Sequence, residues 1–272
     1  MSIPFSVLMS VYAKDRPAWI AQALDSVLNQ TVSPQEVVVV IDGPVPAEIQ
    51  TILENYTVKY PQIKLAPLAK NGGLGPALSH GLTFCSHEYV ARMDADDISL
   101  PNRFEKQLAY FEKHPKTAVL GGQIQEVDAE SLAPIAVRRV PQTDKKIKQY
   151  LKSRCPFNHM TVMFKKSAVE AEGGYKMAYF MQDYFLWAQL AAKGYLMANL
   201  PDIVVHARVN EELYRRRGGW KYFKRSWAIS SRLRELGLIS YPRHLFNLGV
   251  RFCVQVLMPN WLRSYFYKKA LR

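Results

Sequence analysis

Cysteine is scarce in this chain of 272 residues. Cys85, Cys155 and Cys253 stand far apart, in none of the spacings that hold zinc or an iron–sulfur cluster. An odd, unpaired count excludes a disulfide framework and reads as reduced thiols of a cytosolic compartment. Long apolar runs are missing too. The richest late stretch, Leu245–Leu262, is broken by Arg251, Gln255 and Pro259, which makes it too short for a spanning helix. The opening M-S-I-P-F-S-V-L-M-S has no basic segment and no cleavage site, so no signal peptide is expected. What the C-terminal region lacks is acid. From His206 onward there are 15 Lys/Arg against 3 Asp/Glu, or +12 of the total +13, while the preceding 205 residues carry 21 against 20. A nearly neutral domain with a basic tail points to an anionic partner: a membrane surface, a nucleic acid or a polyanionic substrate. Aromatic residues at 12% and charged residues at 22% describe a folded chain and exclude disorder.

The first hundred residues alternate strand and helix patterns. Phe5–Val11 is a short, partly β-branched apolar run that suits a buried strand. Asp15 and Pro17 then offer a helix cap and a first-turn proline, and Trp19, Ile20, Ala23, Leu24, Val27 and Leu28 recur at helical spacing. Gln35–Ile41 is a continuous β-branched strand ending in Asp42-Gly43-Pro44; a helix over Ala47–Tyr60 and a strand over Ile63–Leu68 follow. Such alternation predicts a parallel, doubly wound α/β sheet with its ligand at the carboxyl ends of the strands. Ser10, Tyr12, Asp42 and the acids after Met93 all fall there. Farther on, Pro101 opens a helix with Phe104, Leu108 and Phe111 on one side, Ala118–Val127 and Ala133–Val140 read as a hairpin, and Thr143–Ser153 as a basic helix.

Tyr89–Pro101 (Y-V-A-R-M-D-A-D-D-I-S-L-P) organises the rest. Three carboxylates within four residues, Asp94, Asp96 and Asp97, repel one another unless something holds them together. A divalent cation does so, since hard carboxylate oxygens suit Mg²⁺ or Mn²⁺, and a solvated turn is the alternative. In an extended segment Asp94 and Asp96 point to the same side. Lys70–Gly81 carries four glycines before a helix pattern, so its backbone N–H groups can face phosphate; it is neither a dinucleotide nor a Walker loop, and taken alone it reads as a plain flexible turn. Asp183 lies in M-Q-D-Y-F-L-W, an aromatic setting that raises a carboxyl pKa and suits a base; helical spacing puts Trp187 on its face, and a helix N-cap is the competing role.

Taken together these segments resemble family 2 glycosyltransferases of the GT-A fold, particularly those of bacterial surface-polysaccharide assembly. The likeness covers about residues 4–215 and rests on F-S-V-L-M-S-V-Y, V-V-V-V-I-D-G, N-G-G-L-G-P-A-L, M-D-A-D-D-I-S-L-P-N-R-F and G-G-Y with Q-D-Y-F-L-W. It implies a Rossmann-like, doubly wound, mostly parallel sheet with a small antiparallel part, over residues 1–212. Residues 1–100 would bind nucleotide and residues 101–212 the acceptor, with basic amphipathic helices over 213–272. By the same resemblance Ser10, Tyr12 and Asp42 hold uracil and ribose, Asn71 and Gly73 form the turn beside the nucleotide, and Asp94-Ala95-Asp96 is the D-x-D motif. Asp96 would hold Mg²⁺ or Mn²⁺, with His206 a further ligand, and Asp183 is the base. Gln182 stands where Glu is common and joins Trp187 beside the acceptor. Leu78 replaces an Arg near the pyrophosphate, so Arg208, Arg215 or Arg216 supplies the cation.

The implied reaction is inverting transfer of a hexose or N-acetylhexosamine from a UDP-sugar to a polyprenyl-diphosphate-linked sugar. The basic tail would rest on the cytoplasmic face of the inner membrane, with packing onto the domain as an ordinary amphipathic helix the alternative, and no nucleic acid is expected. Three rivals stand against this. A nucleic-acid-binding protein explains R-R-R-G-G-W-K-Y-F-K-R but leaves the carboxylates idle. A sugar-nucleotide pyrophosphorylase needs a Gly-rich, Arg-containing signature where S-V-Y-A-K-D stands. A processive synthase needs spanning helices.

Overall fold

The computed structural model describes residues 3–175, 181–209 and 218–259. One mixed sheet of nine strands organises them. Phe5–Val11 (β1), Glu36–Ile41 (β2), Ile63–Pro67 (β3) and Tyr89–Asp94 (β4) run parallel in the order β3-β2-β1-β4. The connecting helices are Pro17–Leu28 (α1), Ala47–Lys59 (α2) and Leu74–Phe84 (α3). Because β2 and β3 lie on one side of β1 and β4 on the other, the strand order reverses between β1 and β4. A doubly wound sheet opens its crevice at that point. The expected parallel half is therefore present, and its ligand-binding edge falls where Ser10 of β1 pairs in register with Asp94 of β4.

Beyond β4 antiparallel pairs enter the sheet, while Thr117–Asp128 and Leu196–Val209 still run parallel to each other. Ile98–Ser99 (β5) is followed by Arg103–Lys113 (α4), the hairpin Thr117–Asp128 (β6) and Pro134–Arg138 (β7), and Asp144–Leu151 (α5). A single 3₁₀ turn, His159–Thr161, leads into Met163–Lys165 (β8) and Lys166–Ala171 (α6); Gln182–Ala192 (α7) and Leu196–Val209 (β9) complete the sheet. β8 bridges β4 and β6, and the fourteen-residue β9 joins β6 to β5. Two corrections follow at helix starts. Asp15 does not cap α1, since Arg16 holds that place and the Asp15 carboxylate accepts the Tyr12 N–H at 2.9 Å. Pro101 lies before the Asn102 cap of α4, which begins at Arg103.

Strand alternation splits the core into two faces. Phe5, Val7, Met9 and Val11 meet α1, α2 and α4 on one side, while Leu8, Val38 and Val40 meet α3, α5 and α7 on the other. The C-terminal helices Trp220–Glu235 (α8) and Tyr241–Phe252 (α9), extended by a π turn over Cys253–Leu257, belong partly to this second core. Ile229 and Leu233 of α8 are fully buried beside Trp187 and Leu190 of α7. Ser230 Oγ and His244 Nδ1, 2.9 Å apart, tie α8 to α9. Trp220, Trp227, Tyr241, Leu245 and Leu257 remain exposed. The basic tail thus has one face given to the core and another to solvent. Truncating a fully buried Ile costs about 2–5 kcal/mol. Ile229→Ala is therefore expected to lower the denaturant midpoint of the whole domain in one cooperative transition, with a separate early transition of α8 as the contrary result.

Candidate active site

The site is built from the end of β4. Arg92, Met93 and Asp94 are the last strand residues, and the chain turns at once through Ala95 and Asp96. The turn, and not an extended segment, gathers the acids: one oxygen from each of Asp94, Asp96 and Asp97 lies within 4.8 Å of the others. Asp97 is buried and accepts the backbone N–H of Arg208 at 2.9 Å; burial and then the charges of Asp96 and Asp94 push its carboxyl well up. Asp96 is reached by water although protein surrounds it, and desolvation together with Asp94 pushes its carboxyl up to about 6. Asp15 joins this field, raised to about 7 by burial first, with Asp96 and Asp94 adding to it. Three converging hard oxygens with mutual repulsion fit a divalent cation such as Mg²⁺ or Mn²⁺.

Beneath the acids lies a buried cation. The Arg92 guanidinium pairs with Asp94, while its Nε and Nη1 have no protein partner among the described residues. It faces a cavity of about 780 Å³ that is also lined by Asp94, Asn158, His159, Gln182 and Asp183. Asp183 lies in the first turn of α7 and does not cap it. That place belongs to Met181, held in the left-handed region at φ 67°. A bulky residue there costs roughly 1–3 kcal/mol, strain that concentrates at functional sites. Desolvation raises the Asp183 carboxyl above its ordinary value, against the Tyr184 N–H, the Cys155 thiol 3.5 Å away, and the cations Arg92 and Arg138. A raised carboxylate facing a cavity suits proton abstraction. His159 contacts the Tyr175 hydroxyl at 3.1 Å and is held neutral by burial and Arg92.

The other expected residues divide. Ser10 and the half-exposed Tyr12 stand at the β1 end of the crevice, and Gln182 lines the cavity. Asp42 is buried, and its carboxylate accepts the N–H groups of Gly72 (2.7 Å) and Gly73 (3.0 Å) and the Asn71 amide (3.0 Å). Those glycine N–H groups are engaged internally and do not face phosphate, a correction to the phosphate-loop expectation. A Cβ on Gly43 would meet Asn71 N at 2.4 Å, so the two loops touch backbone to backbone. Trp187 is wholly buried against Phe157, ring centroids 5.2 Å apart, and does not line the cavity at Asp183, a correction to its expected place beside the acceptor. Ala95 is buried in the core, so its methyl does not face the cleft, and Leu78 is likewise inside. His206 pairs with Ile98 across β5 and β9 and stands outside the carboxylate group, its imidazole held below its ordinary pKa by burial. Arg208 spreads over the motif: its guanidinium donates to the Asp96 carbonyl, to Gln22 and to the Ala129 carbonyl, and stacks 5.2 Å from Trp19. Arg215 and Arg216 lie outside the described residues. Arg92 and Asn158 line the cavity without standing among the expected residues, and the signal for the first is a lone Arg inside the apolar strand Y-V-A-R-M-D.

Comparison with known proteins agrees with this geometry. An uncharacterised glycosyltransferase of Haemophilus influenzae is 41% identical over 98% of this chain and 99% of its own length. The Escherichia coli UDP-Gal:alpha-D-GlcNAc-diphosphoundecaprenol beta-1,3-galactosyltransferase is 37% identical over 98% and 96%. Among solved structures, S. aureus TarS 1–349 in complex with UDP-GlcNAc superposes with a TM-score of 0.70 at 19% identity, over 97% of this chain and 75% of that one, which places the fold among the GT-A glycosyltransferases. The model of glycosyl transferase family 2 matches residues 6–170, from β1 through the carboxylate turn to α6, and the chain belongs to that family of glycosyltransferases.

Proposed function

We propose that the chain transfers a hexose or N-acetylhexosamine from a UDP-sugar to a sugar carried on a polyprenyl diphosphate, with inversion at the anomeric carbon. One observation carries this reading: Asp94, from the carboxylate turn, and Asp183, from α7, line the same cavity from different elements. The E. coli relative is named for a UDP-galactose donor and a diphosphoundecaprenol-linked acceptor, and TarS was solved with UDP-GlcNAc, which supports both substrate classes. Asp94, Asp96 and Asp97 would hold the divalent ion, which as a Lewis acid neutralises charge on a departing diphosphate.

The remaining steps belong to side chains. Arg208 fixes the Asp96 turn, and Arg92 pairs with Asp94 and holds its carboxylate in place. Asp183 takes the proton of the acceptor hydroxyl as that oxygen bonds to the anomeric carbon. The bond from carbon to the diphosphate oxygen breaks on the opposite face, and UDP leaves. The tail would hold the enzyme at the anionic leaflet, each juxtamembrane cation contributing about 1 kcal/mol. No helix among the described residues is long and apolar enough to cross a membrane.

Calorimetric titration of UDP is expected to show binding with Mn²⁺ and much weaker binding without it. Asp96→Ala should lose that difference while keeping its thermal midpoint, and equal UDP binding with and without metal would count against the carboxylate site. Asp183 works only when ionised, and its carboxyl is raised. The rate should therefore fall as pH drops through a value above the ordinary carboxylate range. Asp183→Asn should lose about 10²–10⁴-fold in kcat yet bind UDP normally, and substantial residual transfer would remove Asp183 from this role. Vesicles containing phosphatidylglycerol should co-sediment the protein at low salt and release it at high salt; no difference from neutral phosphatidylcholine vesicles would sink the membrane assignment.

A further inference from the structure

The cavity at Asp183 has a second wall that the sugar-transfer chemistry does not use. It is a single stripe of α9: Arg243, Phe246, Asn247, Val250 and Arg251 recur at helical spacing and all line it. The stripe is held in place. Asn247 donates its amide to the Lys152 carbonyl at 2.8 Å and Arg251 donates to the Ser153 carbonyl at 2.6 Å, pinning α9 to the loop after α5. Arg251 lies within electrostatic reach of Tyr184, the residue after Asp183.

Charge in this cavity is lopsided. Six arginines face three carboxylates, one of which, Asp94, is already paired with Arg92. Arg139, Arg154, Arg243 and Arg251 have no carboxylate partner among the described residues; Arg154 lies 6.0 Å from the Tyr150 ring and Arg243 5.7 Å from the Phe246 ring. Guanidinium groups gathered without acids are suited to a multiply charged phosphate, whose oxygens they meet in pairs. Phe246 and Val250 stand between Arg243 and Arg251 on the stripe and are 61% and 48% exposed, so the same wall offers apolar surface beside the cations.

We propose that Arg139, Arg154, Arg243 and Arg251 bind the diphosphate of the carrier-linked acceptor, and that Phe246 and Val250 receive the first part of its hydrocarbon chain. The proposal rests on the acceptor reading above and adds which residues recognise the carrier. An acceptor of this kind carries, in order, a sugar hydroxyl, a doubly charged diphosphate and a hydrocarbon. The cavity offers a carboxylate suited to act as base, a set of guanidinium groups with no carboxylate partner among the described residues, and an apolar strip. The donor diphosphate, by the reading above, would go to the metal held at the carboxylate turn that Arg208 braces. A diphosphate could reach the arginines from either substrate, so the test must separate the two.

The probe is dodecyl diphosphate, below its critical micelle concentration and in chelator without metal, titrated calorimetrically into the full-length protein, with dodecyl maltoside as the uncharged control. UDP with Mn²⁺ is titrated in parallel. Wild type should bind the diphosphate and not the maltoside. Arg243→Gln and Arg251→Gln should each weaken that binding about tenfold, a typical loss for one charge-assisted contact, with UDP affinity unaltered. Arg243 is exposed and can change without loss of folding; Arg251→Lys, which keeps the charge, should restore part of the affinity if Arg251→Gln also disturbs α9. Unchanged dodecyl diphosphate binding in both Gln variants would overturn the proposal, as would an equal fall in UDP affinity, which would assign the arginines to the donor. A wild type that binds dodecyl diphosphate but not UDP would support the arginine site while refuting the donor reading, so the two fail separately.

Discussion

A buried guanidinium under a cluster of acids is the constraint on which this molecule depends. Arg92 sits in the central strand β4 with its side chain almost wholly enclosed, and a second buried cation, Arg103 of α4, donates to its backbone carbonyl at 2.7 Å. Burying two neighbouring cations is costly, and the pair shows it: burial, then Arg92, depresses the Arg103 guanidinium to about 9. The acids answer that charge, with Asp94 in direct contact and Asp97 close by. Cations and carboxylates are thus kept by each other, since removing one side of such a pair leaves roughly 3–5 kcal/mol of uncompensated burial. Arg92 also faces the other half of the site, where it lowers the pKa of Asp183 and of His159. One side chain therefore holds the charge of the proposed metal cluster and of the base in a common field.

Much of this was legible in the sequence because it is local. Apolar runs, their glycine and proline punctuation and the spacing of Trp19 to Leu28 located the parallel half, and strand order then located its crevice. The D-A-D-D turn and Asp183 stood out because acids in apolar surroundings need a reason. What failed was non-local. The N–H groups of Gly72 and Gly73 looked available for phosphate because their true acceptor, Asp42, lies thirty residues back in the chain. Helical spacing puts Trp187 on the face of Asp183, but spacing cannot say how far a face turns inward, and a large apolar ring goes where its burial counts most. His206 was read by its type, while its place on β9 is set by strand register.

The tail shows the same limit from the other side. Its charge was visible and its amphipathic pattern was visible, yet neither reveals that Ile229 and Leu233 enter the core beside α7. That burial decides where α9 lies, because α8 and α9 are joined through Ser230 and His244. A segment that composition describes as a membrane-facing appendage is, on one face, a wall of the cavity at Asp183. The two descriptions are compatible, since an amphipathic pair has two faces to spend.

This placement bears on how one fold serves many substrates. The family match ends at residue 170, after the parallel strands and the carboxylate turn but before Asp183, β9 and the C-terminal helices. The residues proposed for the donor, from Ser10 to Asp97, lie within it, while Arg208, which braces their turn, lies beyond it. The residues that would meet the acceptor come mainly from outside it, on α7 and α9, or from the β6–β7 hairpin. A strand register fixes the first set rigidly, because shifting it by one residue would turn every core side chain outward. Helices packed through a few side chains constrain their outward stripes far less. Arg243, Phe246 and Val250 stand on such a stripe, so the wall proposed for the carrier can be reshaped by a small shift of α9 while β1 and β4 stay as they are.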